Sequence, residues 1–259
     1  MNGNKKQISW RIPALAVLMV AALVTPAQAI PVDTELQLLV DISGSVDSTE
    51  YNLQLQGYVD AFRNPVVQSA ITNGTHGRIA VQFIYWSGSS QQQVMADWTL
   101  IDSGASANAF SNTLAALGRP FSGMTYVGDA MQFGQTQFLG DNGFEGTREV
   151  MDVSGDGIQN GGSSAAAARD AALAAGIDAI NGLPIGSDLA LATWYQNNVV
   201  GGTDAFLMPA LSFSDFQAAI EAKLIQEIGP PAVPEPITLA SLGVCVLGIG
   251  RYLKRRTDA

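Results

Sequence analysis

Cysteine is nearly missing from this 259-residue chain, and the single Cys245 lies in an apolar stretch near the carboxyl end. With none between residues 30 and 236, the globular part has neither a disulfide nor a thiolate nucleophile. Cys245 reads most simply as a small apolar residue, with lipidation as the alternative. Histidine is almost as scarce. The one histidine, His76, sits in the turn sequence Asn73-Gly74-Thr75-His76-Gly77, where a solvated ring is expected. No Gly-x-Ser-x-Gly occurs, so no serine has an evident base and nucleophilic serine catalysis is disfavoured. Val199-Val200-Gly201-Gly202 lacks a following Gly-Lys-Ser/Thr and reads as a turn, not a phosphate loop. Positive charge is rare too. Between Ile30 and Pro236 there are six basic residues (Arg63, Arg78, Arg119, Arg148, Arg169, Lys223) against 22 acidic ones, and 6 − 22 leaves −16. That balance argues against nucleic acid, whose affinity comes largely from Lys and Arg contacts to phosphate, and it suits binding of cations.

Long hydrophobic runs occur only at the two ends. Residues 1–29 have the layout of a secretory signal peptide: Lys5, Lys6 and Arg11, then the apolar Ile12 to Val24, then Ala27-Gln28-Ala29. The apolar stretch is short for a span, which favours cleavage over an uncleaved anchor. At the other end, residues 230–236 form a Pro-rich linker, 237–253 an apolar helix at the short edge for crossing a membrane, and 254–259 a basic tail fitting a cytoplasmic end. Residues 30–229 remain as one domain, long enough for a single large core. Val233-Pro234-Glu235-Pro236, the apolar helix and the Arg-rich cluster Arg251, Lys254, Arg255 and Arg256 resemble the PEP-CTERM sorting signal of Gram-negative bacteria. The resemblance implies export, at least transient membrane anchoring through the C-terminal helix, processing by an exosortase-type protease, and a final place at the cell surface or in the extracellular matrix.

Within the domain, strands and helices alternate. Strands are expected near Glu35–Val40, Arg78–Trp86, Gln93–Leu100, Thr147–Val153, Ile177–Leu183 and Ala205–Met208, the second and third forming a hairpin. Helices are expected from Ser48 to Asn64, with Leu53, Leu55, Tyr58, Val59 and Phe62 buried, and then over Val66–Ile71, Ala105–Leu117, Asp129–Leu139, Ser164–Ala175, Asp188–Gln196 and Ser214–Ile228. Trp86, Trp98 and Trp194 are expected in the core or at its rim. The order predicts an α/β fold, doubly wound, with a mainly parallel central sheet and helices on both faces.

Three loops are rich in oxygen donors. The apolar run Leu36–Val40 ends in Asp41-Ile42-Ser43-Gly44-Ser45, a later loop reads Phe121-Ser122-Gly123-Met124-Thr125, and a third reads Asp152-Val153-Ser154-Gly155-Asp156-Gly157. Loops from adjacent parallel strands converge on the rim at their carboxyl ends. Two carboxylates and three hydroxyls meeting there, with no nitrogen or sulfur, would suit a hard divalent cation, Mg2+ first, with Mn2+ or Ca2+ as alternatives. Bland roles compete for each residue: helix capping for Asp41 and Thr125, turn formation for Ser43 and Ser45. Asp129 is expected to face a helix dipole. Asp152 and Asp156 compete for the third-loop position. Asp156 is preferred because it ends the strand before a glycine, and a buried Asp152 would then need its own partner.

These three loops resemble the von Willebrand factor A domain and its metal-ion-dependent adhesion site, whose signature is Asp-x-Ser-x-Ser, a later Thr, and an Asp before Gly. Asp41, Ser43 and Ser45 match the first part, Thr125 the second and Asp156 the third. More closely, Ser45–Glu50, Gly77–Val81, Asp152–Gly157 and Ile180–Leu183 are similar to a bacterial family of von Willebrand A-like domains without assigned function. The resemblance implies a doubly wound fold and a cation held directly by the hydroxyls and partly through water by the carboxylates. Such a cation stays electrophilic and seeks a carboxylate on an extracellular protein or matrix partner. Of the function classes, a cation-dependent surface binding module is expected first. A structural component of an exopolysaccharide or biofilm matrix, with metal for stability alone, is the alternative. A phosphatase-type hydrolase is disfavoured, since Ser43 stands where a second carboxylate would be needed.

Overall fold

The computed structural model describes residues 29–138 and 140–229. The expected signal peptide, Pro-rich linker, apolar C-terminal helix and basic tail lie outside the described residues. Among the described residues, no helix is long and apolar enough to cross a membrane.

A short strand, β1 (Ile30–Val32), precedes β2 (Thr34–Asp41), whose every residue is buried. Then come α1 (Ser48–Arg63), α2 (Pro65–Thr72) and the hairpin β3 (Ile79–Trp86) with β4 (Gln92–Ile101). Next are α3 (Gly104–Ala115), α4 (Val127–Phe138), β5 (Phe144–Gly146), β6 (Glu149–Gly155) and α5 (Ala165–Ala174). The domain closes with β7 (Ala179–Pro184), α6 (Leu189–Asn198), β8 (Gly201–Gly202) and α7 (Phe216–Ile228). Six strands form one sheet in the order β4-β3-β2-β6-β7-β8. The four central strands run parallel, and β4 and β8 pair antiparallel at the edges.

Both faces are covered, as the apolar runs predict. Leu36, Leu38 and Val40 point to one face with Val81, Phe83 and Tyr85, under α1, α2, α3 and α7. Leu39, Ile84, Met151 and Val153 point to the other, under α4, α5 and α6. The chain leaves β2 toward β3 on one side, and β6 lies on the other. The order therefore reverses at β2, and the crevice above the β2 and β6 ends is where such sheets place ligands.

Local chemistry sets the element ends. Asp47 caps α1, accepting from the Thr49 and Glu50 N–H groups at 2.7 and 2.9 Å, while the Glu50 carboxylate accepts from the Asp47 N–H. Asn64 ends α1 and caps α2, whose first residue is Pro65.

Two expectations fail, and one pairing was not expected. Tyr58, Val59 and Phe62 of α1 are buried as expected, but Leu53 is exposed and Leu55 half-buried, and Tyr51 and Gln54 join the buried face, Gln54 and Tyr58 reaching Ser154 in the sheet. The segment 205–208 forms no ladder strand. Only Leu207 bridges Gly182, and the neighbouring edge pairing is made by Gly201 and Gly202, which had read as a plain turn. The two-stranded pairing of β1 with β5 had no signal in the sequence, since each strand is only three residues long.

Polar side chains lie inside the sheet. Gln37 donates to Gln82 at 2.8 Å on the α4 face. On the α7 face Lys223, fully buried, stands 2.7 Å from an Asp152 oxygen and also pairs with Glu227 one turn on. Asn181 donates to the same Glu227. At the amino-terminal ends of the strands a cavity of about 630 Å3 is lined by Asp33, Thr34, Arg148, Asp178 and the end of α7 up to Gly229.

Candidate metal centre

Asp41 is the last residue of β2 and points to the same face as Leu39. Its Oδ1 accepts from the Ser43 N–H at 2.7 Å, which folds the chain back into a tight turn. Gly44 donates its N–H to the Gly123 carbonyl at 2.8 Å, and a Cβ there would stand 3.2 Å from that oxygen. The turn therefore lies flat against the Phe121–Thr125 loop, and Ser43 and Ser45 face one another with their Oγ atoms 3.1 Å apart.

The other two loops close on this turn. The Thr125 hydroxyl donates to Ser43 Oγ at 3.3 Å, and the Ser45 hydroxyl donates to Asp156 Oδ1 at 2.6 Å. All five residues expected at the site (Asp41, Ser43, Ser45, Thr125 and Asp156) thus meet at the carboxyl rim of β2 and β6. Asp152 does not. It lies inside β6 on the opposite face, occupied by Lys223. The partner that a buried Asp152 would need is an ammonium group.

Residues with no motif signal hold the loops in place. Arg119 donates from Nη2 to the carbonyls of Ile42 and Ser43 at 2.9 and 2.7 Å, clamping the first loop from below. Asn160 accepts from the Thr125 N–H at 2.9 Å and donates its own N–H to the Thr125 carbonyl at 3.0 Å. The buried Ser87, past the end of β3, donates to the Met124 carbonyl at 3.0 Å. Asp129 accepts from the Ser163 N–H at 2.7 Å in the first turn of α4, so its dipole position also fixes the loop before α5. The sequence offers these residues only as loop polar groups; their role depends on which loops become neighbours.

The electrostatics are those of a site short of positive charge. Asp41 is fully buried, and its Oδ2 has no hydrogen-bond partner. Burial, with the Asp156 charge adding to it and the Ser43 N–H opposing both, pushes the Asp41 carboxyl up to about 8. Burial also raises Asp156, with Glu50 adding to the effect. The Tyr195 hydroxyl of α6 is a second buried group without a partner. A Cβ built on Gly155 would come within 2.5 Å of that hydroxyl and 2.8 Å of Asp41 Oδ2, so both crowd the same bare backbone.

An all-oxygen donor set with an unpaired buried carboxylate oxygen fits a hard divalent cation. Among the described residues no three His, Cys, Asp or Glu side chains group as metal ligands. Here two carboxylates share the site with three hydroxyls instead.

Residues 31–232 match the family described as "Protein of unknown function (DUF1194)", and residues 232–256 match the PEP-CTERM protein-sorting motif. Among curated proteins, none matches this chain. Solved structures similar to it include proximal thread matrix protein 1 from the mussel byssus, at 16% identity and TM-score 0.59, covering 77% of this chain and 49% of that one. A form of the same protein with a zinc-occupied MIDAS motif is similar at 15% identity and TM-score 0.54, over 78% of this chain and 49% of that one. The pilus adhesin SpaC from Lactobacillus rhamnosus GG, in an open conformation, follows at 16% identity and TM-score 0.52, over 79% of this chain and 30% of that one. This chain therefore spans half or less of the length of these structures, and at such identities the likeness concerns the fold.

Proposed function

From a chain that belongs to the DUF1194 family, a von Willebrand A-like family, and carries a PEP-CTERM sorting motif, we propose an exported binding module whose recognition depends on a divalent cation. Asp41, Ser43, Ser45, Thr125 and Asp156 would hold the cation, with Mg2+ the first choice for an oxygen-only set. The cation would supply a Lewis-acidic position for a carboxylate from a protein or matrix partner outside the cell. No catalytic step is assigned.

The observation that carries this reading is Asp41: a fully buried carboxylate whose second oxygen lacks a partner, beside three converging hydroxyls. A buried carboxylate costs several kcal/mol unless a positive charge compensates it. The sorting motif supports export, with processing by an exosortase-type protease. The zinc-occupied MIDAS of the byssus protein supports the choice of a divalent cation.

Titration calorimetry with Mg2+ and Mn2+ on the wild type and on Asp41→Ala tests the site. Saturable heat is expected from the wild type alone, and equal binding by both proteins would refute it. Thermal melting and capture of envelope proteins, each with and without EDTA, separate recognition from a structural role. A chelator that lowers the melting temperature without changing capture points to a matrix component stabilised by metal.

A further inference from the structure

Among the described residues Lys223 is the only basic side chain that is fully buried, and the candidate metal centre makes no use of it. It comes from α7 and meets Asp152 of β6, whose register partner on β7 is Asn181. Lys223 Nζ donates to Glu227 Oε1 and stands 2.7 Å from Asp152 Oδ1. The second contact is not an aligned hydrogen bond, since both Asp152 oxygens lack a hydrogen-bond partner. Glu227 Oε1 also accepts from Asn181 at 2.8 Å, which holds it in place. The Phe206 ring lies 5.4 Å from Nζ, and Asp152, Lys223 and Glu227 are 0%, 0% and 1% exposed.

A lysine amine shut away from water is a nucleophile once a neighbouring carboxylate takes its proton. Glu227 is placed to take it. Burial raises the Asp152 carboxyl, and the neutral carboxyl is the form that a nucleophile can attack. In bulk water an amine and a carboxyl do not condense to any useful extent. Fixed contact of the two is worth an effective molarity of about 10⁵–10⁸ M, and burial excludes the water that would reverse the reaction.

We propose that Lys223 and Asp152 condense to an intramolecular isopeptide bond, with Glu227 as the proton carrier. Lys223 Nζ bonds to Asp152 Cγ, and the bond from Cγ to one carboxyl oxygen breaks. Of the three ammonium protons, one stays on the amide nitrogen. Glu227 passes the other two to the departing oxygen, which leaves as water. An ammonium and a carboxylate thus become a neutral amide and water, with no oxidation and no co-reactant. Glu227 and Phe206 also line the cavity at the amino-terminal ends of the strands, which gives that water an exit. The bond ties α7, the last helix before the sorting motif, to a central strand. Chains in which it has not closed keep the charged triad. The inference is independent of the cation site.

The test is a tryptic map of the folded full chain, purified in detergent and read by tandem mass spectrometry. Trypsin should release Glu149–Arg169 joined to the peptide that begins at Asp170 and runs through an uncut Lys223. The joined species should weigh one water less than its two parts, with fragment ions placing the branch at 152 and 223. In Glu227→Gln the joined species should be lost while a cooperative melting transition remains. Free Glu149–Arg169 together with cleavage after Lys223 in the folded wild type would overturn the inference, whether or not the variant folds. A loss of ammonia instead of water, with the branch at Asn181, would overturn the choice of Asp152. Undiminished joining in Glu227→Gln would overturn the role of Glu227.

Discussion

Replacing Lys223 by methionine tests how α7 is held to the sheet. Lys223 is fully buried between Asp152, 2.7 Å away, and Glu227, with Asn181 donating to Glu227 from β7. The substitution keeps the volume of the side chain and removes the only positive charge of this group. Two carboxyls would remain, 0% and 1% exposed, facing each other without compensation. Removing one member of a buried ion pair costs about 3–5 kcal/mol. For the roughly 200 residues that fold, an unfolding entropy of about 2.1 cal/mol/K per residue turns this into a fall of about 7–12 °C in melting temperature. The deficit should depend on pH. Burial already pushes Asp152 up to about 7 against the pull of Lys223 and with Glu227 adding to the rise. Without the ammonium group its folded-state pKa rises further, so the folded variant binds a proton that the unfolded chain has released. Stability then falls as pH rises across that interval, and the loss should be larger at pH 8 than at pH 5. Urea unfolding of both proteins at the two pH values gives the answer. A variant within about 1 kcal/mol of wild type at pH 8, with no pH-dependent gap, would refute a charged buried triad. An apolar triple replacement at 152, 223 and 227 should recover most of the loss, since a well-packed apolar core can match a buried ion pair.

Other outcomes follow from the site and its surroundings. Gly155→Ala would drive a methyl group against the Tyr195 hydroxyl and Asp41 Oδ2, costing about 1–3 kcal/mol and lowering Mg2+ affinity, measurable by melting and calorimetry on the same sample. Arg119→Ala removes the two charge-assisted bonds to the Ile42 and Ser43 carbonyls, so about 1.5–3 kcal/mol of stability and part of the cation affinity should be lost; unchanged Mg2+ binding would mean that the loop holds its shape unaided. Glu149 is raised to about 7 by burial and by the charges of Glu35, Asp178 and Glu145, so in the native state it keeps a proton that the unfolded chain releases near pH 4.5. Its contribution therefore weakens as pH rises from about 4.5 to 7, and Glu149→Gln should stabilise the protein more at pH 8 than at pH 5 in denaturant titrations.

The sheet and the five candidate ligands were legible because they rest on local signals that topology does not alter. Leu36–Val40 is a continuous apolar run, and its abrupt end in Asp41 fixes the rim. Asp156 precedes a glycine, and Thr125 lies in a glycine-containing loop before a helix. What stayed hidden depends on neighbours far apart in sequence. Lys223 sits in an amphipathic helix where a lysine would be expected to reach water, and its burial follows from Asp152 standing beneath it, 71 residues away by 223 − 152. Gln54 displaces Leu53 from the buried face of α1 because Ser154 offers it a partner across the core. Tyr195 and Arg119 lack a motif, and only the packing of their elements brings them to the Asp41 turn.

The cavity at the amino-terminal ends of the strands marks the rim where the described residues end. Its wall includes Gly229, and the sorting motif begins at residue 232. The Asp41 turn lies at the far end of β2, eight residues away at about 3.3 Å each, or roughly 26 Å. Gly229 and the Asp41 turn therefore stand at opposite ends of the sheet.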